Sequence, residues 1–340
     1  MECIKKEKKD RRGLIIQPGA VGDGILTLPL ARLLRRHRHT KEMAFDILGH
    51  PEKLGFLKGR SEIEQIIPLE GVNLHMLFGD SRSFTLEEGD QLIDFFRGYE
   101  LIISFLKDAE GHFERNLAFT TMATHAADIV TLEMQPPRDY KGHVAGYFME
   151  QFVRDLPHAQ VTVMQEDMEG GFIFSREGDE EKGREIVQNL GITAKNGLIA
   201  IHPGSGGKEK CWPLDNYREL AKKLGKQGLQ PVMILGPVEK ERWEEGVIND
   251  LSTQVPVIKE VALEEIAGLL SCCRGYVGND CGITHLAGAL GLATVAIFGP
   301  TNSNHWRPLG SKVRVCEAKQ QAEPGWPGMV EVFEQLLEAI

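Results

Sequence analysis

Asp280, Thr284 and His285 crowd one short stretch of the chain, Tyr276–Thr301 (YVGNDCGITHLAGALGLATVAIFGPT), and their side chains together could hold hydroxyls and an anion. The stretch reads as a strand end, a polar turn with Asn279, Asp280 and Gly282, a short helix, a second strand and a Gly-Pro stop. Ala287, Gly288, Ala289 and Gly291 keep that helix slim, so that backbone can come close to a ligand or to a sheet. A helix opening after a glycine turn presents unbonded N–H groups and the positive end of its dipole. Asp280 at that mouth either caps the helix or binds a ligand hydroxyl. Both readings stay open from the residues, although capping does not explain why Thr and His share the same mouth.

Two further segments have the same grammar. Gly197–Ile201 is an apolar run suited to a buried parallel strand, broken by His202-Pro203-Gly204-Ser205-Gly206-Gly207 and followed by Lys208 and Lys210. Trp212-Pro213-Leu214 then leads to Asp215, read as the N-cap of a helix over 216–227 that Gly228 closes. A strand, a Gly/Ser loop and lysines describe a seat for phosphate, with a plain strand-to-helix turn as the alternative. The GxxxxGK[ST] spacing of a Walker loop is absent. Near the start, the strand Gly13–Ile16 runs into Gln17-Pro18-Gly19-Ala20-Val21-Gly22-Asp23-Gly24 and a helix over 25–36. Glycines around Asp23 would leave its carboxylate facing open space at the carboxyl end of a strand, where ligands of open α/β sheets bind. The alternative is an N-cap aspartate. No GxGxxG fingerprint is present, which disfavours a dinucleotide.

The elements that must position these residues alternate strand and helix throughout. Strands are expected at 44–48, 63–67 and 101–104 and a helix at 115–126. Phe172-Ile173-Phe174 reads as the entry to a second half, which runs through GLIAI, PVMIL (231–235), VPVI (255–258), GYVG and TVAIF with helices between. Each half opens with a strand and a glycine loop. A chain of 340 residues exceeds the usual reach of one core. The expected organisation is a domain at 1–170, a second at 171–328, and a helix at 329–340 crossing back to the first domain.

Composition narrows the function classes. With 42% hydrophobic and 26% charged residues the chain is that of a soluble globular protein. No window approaches a membrane span. No apolar signal core follows the basic start MECIKKEKKDRR, so a cytoplasmic setting is expected. Six scattered cysteines without a paired CxxC set argue against a zinc site or a disulfide framework. A net charge of −10 disfavours nucleic acid as a partner. The basic clusters Lys5–Arg12 and Arg32–Arg38 are read as a solvated tail and a helix end stabilised by cations, or as attraction to an acidic acceptor or an anionic membrane.

Taken in order, the three segments resemble glycosyltransferase family 9, the ADP-heptose:lipopolysaccharide heptosyltransferases and their relatives. The marks are Gly22-Asp23 with Leu28-Pro29, His202-Pro203-Gly204-Ser205 with Lys210 and Trp212-Pro213, and Asp280-x-Gly282-x-x-His285-Leu286-Ala287 with Phe298-Gly299-Pro300-Thr301. The resemblance spans nearly the whole chain. It implies an α/β protein of GT-B type, two Rossmann-like domains with mostly parallel sheets facing across a cleft, the first for acceptor and the second for nucleotide sugar. It implies an inverting, metal-independent transfer of heptose from ADP-heptose to a lipid-linked lipopolysaccharide acceptor, without a cofactor, on the inner face of the inner membrane. By matched position Asp23 is the general base and Lys210 the partner of the leaving diphosphate. Ser205, Gly206, Asp280, Cys281, Gly282, Thr284 and His285 form the donor set, and Gly22 and His143 stand on the acceptor side. For His285 a structural role bonding loop carbonyls is an equal alternative, and Trp212 is read as packing that locks the loop. Cys281 departs from the threonine common in characterised heptosyltransferases, which puts one hydroxyl contact in doubt. The alternatives are a relative using another nucleotide sugar or acceptor, a non-catalytic nucleotide-sugar binder, and a dehydrogenase-like dinucleotide protein.

Overall fold

The computed structural model describes residues 11–37, 40–157, 161–192, 197–259, 261–318 and 325–340. Lys5, Lys6, Lys8, Lys9, Arg38 and Cys3 therefore lie outside the described residues. Contacts divide the chain into two compact units. The first holds the described residues up to Gly19 with Pro29–Pro136 and Tyr147–Val163, and the second holds Ala20–Leu28, Pro137–Gly146 and Met164–Ile340.

The first unit is built on a five-stranded sheet in the order β3-β2-β1-β4-β5. Its strands are β1 (Arg12–Ile16), β2 (Ala44–Gly49), β3 (Ile63–Pro68), β4 (Tyr99–Ser104) and β5 (Asp128–Thr131), and every pairing is parallel. Leu14, Ile15 and Ile16 are fully buried, as a central parallel strand covered on both faces requires. At the amino end of β1, Arg12 grips Asp46 of β2 through Nη2–Oδ2 (2.6 Å) and Nε–Oδ2 (3.0 Å), and the Tyr99 hydroxyl donates to the same carboxylate at 3.1 Å. The described part of the amino-terminal basic cluster is thus paired within the fold, Arg11 with Glu100 and Arg12 with Asp46. The helices of this half are α1 (Val21–Arg36), α2 (Pro51–Leu54), α3 (Gln91–Phe96), α4 (His112–Met122) and α5 (Val144–Asp155).

The second unit carries a six-stranded sheet in the order β11-β10-β9-β6-β7-β8. Its strands are β6 (Leu198–His202), β7 (Gln230–Leu235), β8 (Val257–Lys259), β9 (Cys273–Asn279), β10 (Ala293–Phe298) and β11 (Val313–Glu317), again all parallel. The helices are α6 (Asp179–Asn189), α7 (Leu214–Lys226), α8 (Pro237–Arg242), α9 (Glu245–Gln254), α10 (Leu263–Ser271), α11 (Gly282–Ala289), α12 (Ser303–Trp306) and α13 (Met329–Ala339). Strand order reverses between β6 and β9, and ligands of such sheets bind beyond the carboxyl ends at that reversal. Those two ends lead into His202–Lys210 and Asn279–Gly282.

Several elements differ from the sequence expectation. Helix α1 starts at Val21 rather than Ile25, and α7 at Leu214 after Pro213, so Asp215 sits in the first turn and is not the N-cap. At the entry segment Phe172-Ile173-Phe174, the N–H groups of Phe172 and Ile173 both donate to Ala289 O (2.9 and 3.1 Å), tying it to the end of α11. The helix α13 packs on β9, β10, β11 and α7 of its own unit, with Val332, Phe333 and Leu336 buried. Truncation of fully buried Leu336 to alanine should therefore destabilise the second unit by about 2–5 kcal/mol, read as a lower urea midpoint at unchanged slope.

Candidate active site

The carboxyl ends of β6 and β9 are stitched together by one side chain. Asn279, the last residue of β9, is wholly buried. Its Nδ2 donates to Pro203 O (2.8 Å) and Gly204 O (3.1 Å), and its Oδ1 accepts from Trp212 N (2.9 Å) and Tyr217 Oη (2.8 Å). An amide offers two hydrogens and two lone pairs, and all four are used. Trp212 completes the anchor as packing: it is buried, stands edge-on to Tyr217 and donates from Nε1 to Pro327 O at 3.1 Å. The loop continues under a second clamp. Arg242, the last residue of α8, donates from Nη1 to Ser205 O (2.8 Å) and from Nη2 to Gly206 O.

Within this frame Lys210 Nζ donates to Asp280 Oδ2 at 2.9 Å, and His285 Nε2 lies 3.8 Å from Asp280 Oδ1. Asp280 is not the cap of α11; the N-cap position is Cys281, without a side-chain cap bond. Burial would raise the Asp280 carboxyl, but the His285 ring and the Lys210 ammonium outweigh it and hold it below the ordinary value. Ser205 Oγ donates to Asp280 O at 2.9 Å, closing the two loops on each other. Thr284 is fully buried, with its hydroxyl donating to Asn279 O and within 3.0 Å of Tyr276 Oη, so it holds the turn together. Cys281 Sγ is 3.3 Å from Thr284 Oγ1. Burial raises its thiol, yet nearby His202 outweighs that and lowers it. His202 answers in the opposite sense: burial lowers it, and Cys281 with Glu239 raises it to about 9. Its Nδ1 meets Ile234 O at 2.8 Å.

Asp23 stands third in α1, and its Oδ2 accepts from Ala20 N at 2.7 Å. It reaches back to the cap residue instead of being the cap, the second half of a capping box. Its other oxygen has no protein partner among the described residues. The start of α1 belongs to the second unit by its contacts. A Cβ at Gly22 would lie 3.2 Å from His285 Cδ2, and one at Gly282 only 2.6 Å from Val21 Cβ, so the first turns of α1 and α11 approach through their glycines. Among the described residues the His285 ring bonds no loop carbonyl; it lies between the Gly22 turn and Asp280, with its Nδ1 buried and unpartnered there.

A family model described as glycosyltransferase family 9 (heptosyltransferase) matches residues 155–326 of the 340, half of the chain. The chain belongs to glycosyltransferase family 9. Among curated proteins it is 33% identical over 135 residues to lipopolysaccharide heptosyltransferase 2 of Salmonella typhimurium, an alignment spanning 38% of this chain and 39% of that one. The alignments thus cover about two fifths of such relatives' length. Among solved structures, a family 9 glycosyl transferase from Veillonella parvula superposes with a TM-score of 0.69 at 19% identity, covering 98% of this chain and 99% of that one. ADP-heptose lps heptosyltransferase II of E. coli follows at 0.66 and 18%, covering 96% and 98%. The fold is that of these GT-B enzymes.

In this family 9 chain, contacts join Ser205, Lys210, Asp280, Cys281, Gly282, Thr284 and His285 to the Gly22-Asp23 turn. Gly206 is exposed, and a Cβ added there would meet nothing within 4 Å. Lys208 is exposed. His143 closes the start of α5: its Nδ1 accepts from Ala145 N (3.2 Å) and its Nε2 donates to Arg307 O (2.8 Å). Asn279 and Arg242 are the residues that motif reading passes over. Asn279 is visible only as a turn residue beside Asp280, and no local signal marks Arg242, which acts across more than thirty positions.

Burial, with added repulsion from Arg307, His285 and His305, pulls His143 down from its ordinary 6.5 to about 4 despite the Arg307 carbonyl. Between those values the unfolded chain binds the proton and the folded chain does not, so folding stability rises with pH there and falls on acidification. Urea unfolding from pH 7 to pH 4 should show this loss, and His143→Asn, which can still accept from Ala145 N, should lose less over the same window.

Proposed function

We propose that this family 9 protein is an inverting, metal-independent glycosyltransferase that moves a heptose from ADP-heptose to a lipopolysaccharide inner-core acceptor. The observation that carries the reading is the Lys210–Asp280 pair at the reversal of the second sheet, beside the open N-terminus of α11 and linked through His285 to the turn of Asp23. The names of its relatives, lipopolysaccharide heptosyltransferase 2 and ADP-heptose lps heptosyltransferase II, supply the sugar and the nucleotide.

In this reading the acceptor hydroxyl attacks the anomeric carbon as its proton passes to Asp23, whose carboxylate keeps one oxygen clear of Ala20 N. The bond from that carbon to the diphosphate breaks in the same displacement, with no covalent sugar on the enzyme. ADP leaves carrying the charge. An ammonium has three hydrogens, so Lys210 keeps two for phosphate while Asp280 holds one, and the N–H groups opening α11 add a fixed positive pole. Asp280 receives sugar hydroxyls. The reaction belongs on the cytoplasmic face, and among the described residues no helix is long and apolar enough to cross a membrane. Arg35 and Arg36 are exposed at the end of α1, and Arg35 already donates to Met43 O (2.8 Å) and lies 3.5 Å from the Glu62 carboxylate. A relative acting on a different nucleotide sugar is the second reading, favoured by Cys281 at the position that opens α11.

ADP or ADP-heptose should raise the thermal midpoint without added Mg²⁺; a response to UDP or NAD and none to ADP would sink the donor assignment. Lys210→Met should lower kcat about 100-fold or more while the protein stays folded. Asp23→Asn isolates the base, because asparagine can still accept from Ala20 N and hold the helix start. That variant should keep its melting midpoint and its ADP affinity yet transfer sugar at least about 100-fold more slowly. Transfer at the wild-type rate would leave Asp23 a helix residue only.

A further inference from the structure

Four successive carbonyls of the loop after β6 are each taken by a side chain. Asn279 Nδ2 holds Pro203 O and Gly204 O, and Arg242 holds Ser205 O and Gly206 O. The next carbonyl, Gly207 O, accepts from Lys210 N (3.1 Å) and Cys211 Sγ (3.4 Å). A peptide whose oxygen is drawn one way turns the N–H of the following residue the other way, because the peptide unit is planar and trans. With the oxygens held by protein donors, the N–H groups lie on the opposite edge, where that of Ser205 faces the Cys211 thiol. Gly206 N–H bonds no protein acceptor among the described residues, and the space beside its Cα is open. Backbone N–H groups turned together in this way make an anion-binding concavity.

We propose that Arg242, acting with Asn279, is a positioning residue for the donor diphosphate: its guanidinium does not transfer a proton or touch the reacting carbon, but fixes the loop so that its N–H groups and Lys210 meet the phosphates. The planar fork matters here. Two N–H groups reach two adjacent carbonyls at once, which a lysine ammonium on a flexible stem does not reproduce. Asn279 is rigidly buried and orders the first half of the loop; Arg242 is exposed and orders the second half, next to Gly206. The inference rests on the nucleotide-sugar reading above and names the residue that makes its phosphate loop competent.

The test is the affinity of the full-length chain for ADP and for adenosine, measured by calorimetry on wild type, Arg242→Lys and Arg242→Gln. Both variants should weaken ADP about 10-fold or more, the range for losing hydrogen bonds from a charged group, with adenosine affinity unchanged. Asn279→Asp, which places oxygens against Pro203 O and Gly204 O, should act in the same direction, and the exposed Arg242 variants decide the matter should Asn279→Asp not fold. Full ADP affinity in Arg242→Lys with loss in Arg242→Gln would mean that charge alone counts and would overturn the positioning role. Equal weakening of ADP and adenosine would overturn it in favour of general loosening. A wild-type protein that binds neither ADP nor UDP defeats the nucleotide-sugar reading as well, whereas wild-type binding with undiminished ADP affinity in both variants defeats this inference alone.

Discussion

Asn279 holds the second unit's functional end together because it satisfies groups that neither sheet nor helix can. A parallel strand ends with carbonyls and N–H groups that its neighbours no longer bond, and here two strand ends separated by more than seventy residues must meet in register. A buried amide with two donors and two acceptors closes that account: it takes Pro203 O and Gly204 O on one side and Trp212 N and the Tyr217 hydroxyl on the other. An unbonded buried polar group costs on the order of 1–3 kcal/mol, so any arrangement that frees this amide is disfavoured several times over. The Ser205–Asp280 backbone link, the seat of Trp212 and the direction of Lys210 all follow from it.

The pairing of Lys210 with Asp280 adds a second constraint. The carboxylate is buried and the ammonium is partly exposed. A buried carboxylate without a partner would be strongly disfavoured, and the lysine with the His285 ring keeps it charged. In the proposed reading the same two groups contact a sugar hydroxyl and a phosphate, so the resting structure and the proposed function draw on one ion pair. Glycine at 22 and 282 lets the two helix openings come together, since a side chain at 282 would collide with Val21 and one at 22 would press on the His285 ring.

The sequence was most legible where one residue type has one plausible use. Apolar runs such as Gly197–Ile201 and Ala44–Leu48 became central strands within a residue or so. Trp212 packed as its bulk suggested. The three glycine-bearing turns were correctly placed at strand ends. Less legible were residues whose role depends on a partner far along the chain. Asp23 stands among three glycines, Gly19, Gly22 and Gly24, in a way that suggests a cap, but the helix starts two residues before it and makes it the third helical residue. Edge strands β5 and β11 are short and only half apolar, so nothing in their periodicity announces them. Thr284 and Ser205 look like hydroxyls for a ligand, whereas both hydroxyl hydrogens are engaged by backbone carbonyls. Arg242 looks like one more surface charge on a helix rich in them.

The anchoring of Trp212 has a spectroscopic consequence. The chain has four tryptophans, and all of them, Trp212, Trp243, Trp306 and Trp326, belong to the second unit. Indole emission is therefore blind to the five-stranded sheet of the first unit, while far-ultraviolet circular dichroism sums both sheets. A denaturation curve followed by fluorescence alone speaks for one half of this protein. Buried Trp212, edge-on to Tyr217 and bonded to Pro327 O, is the chromophore set nearest to the loop that reaches Lys210.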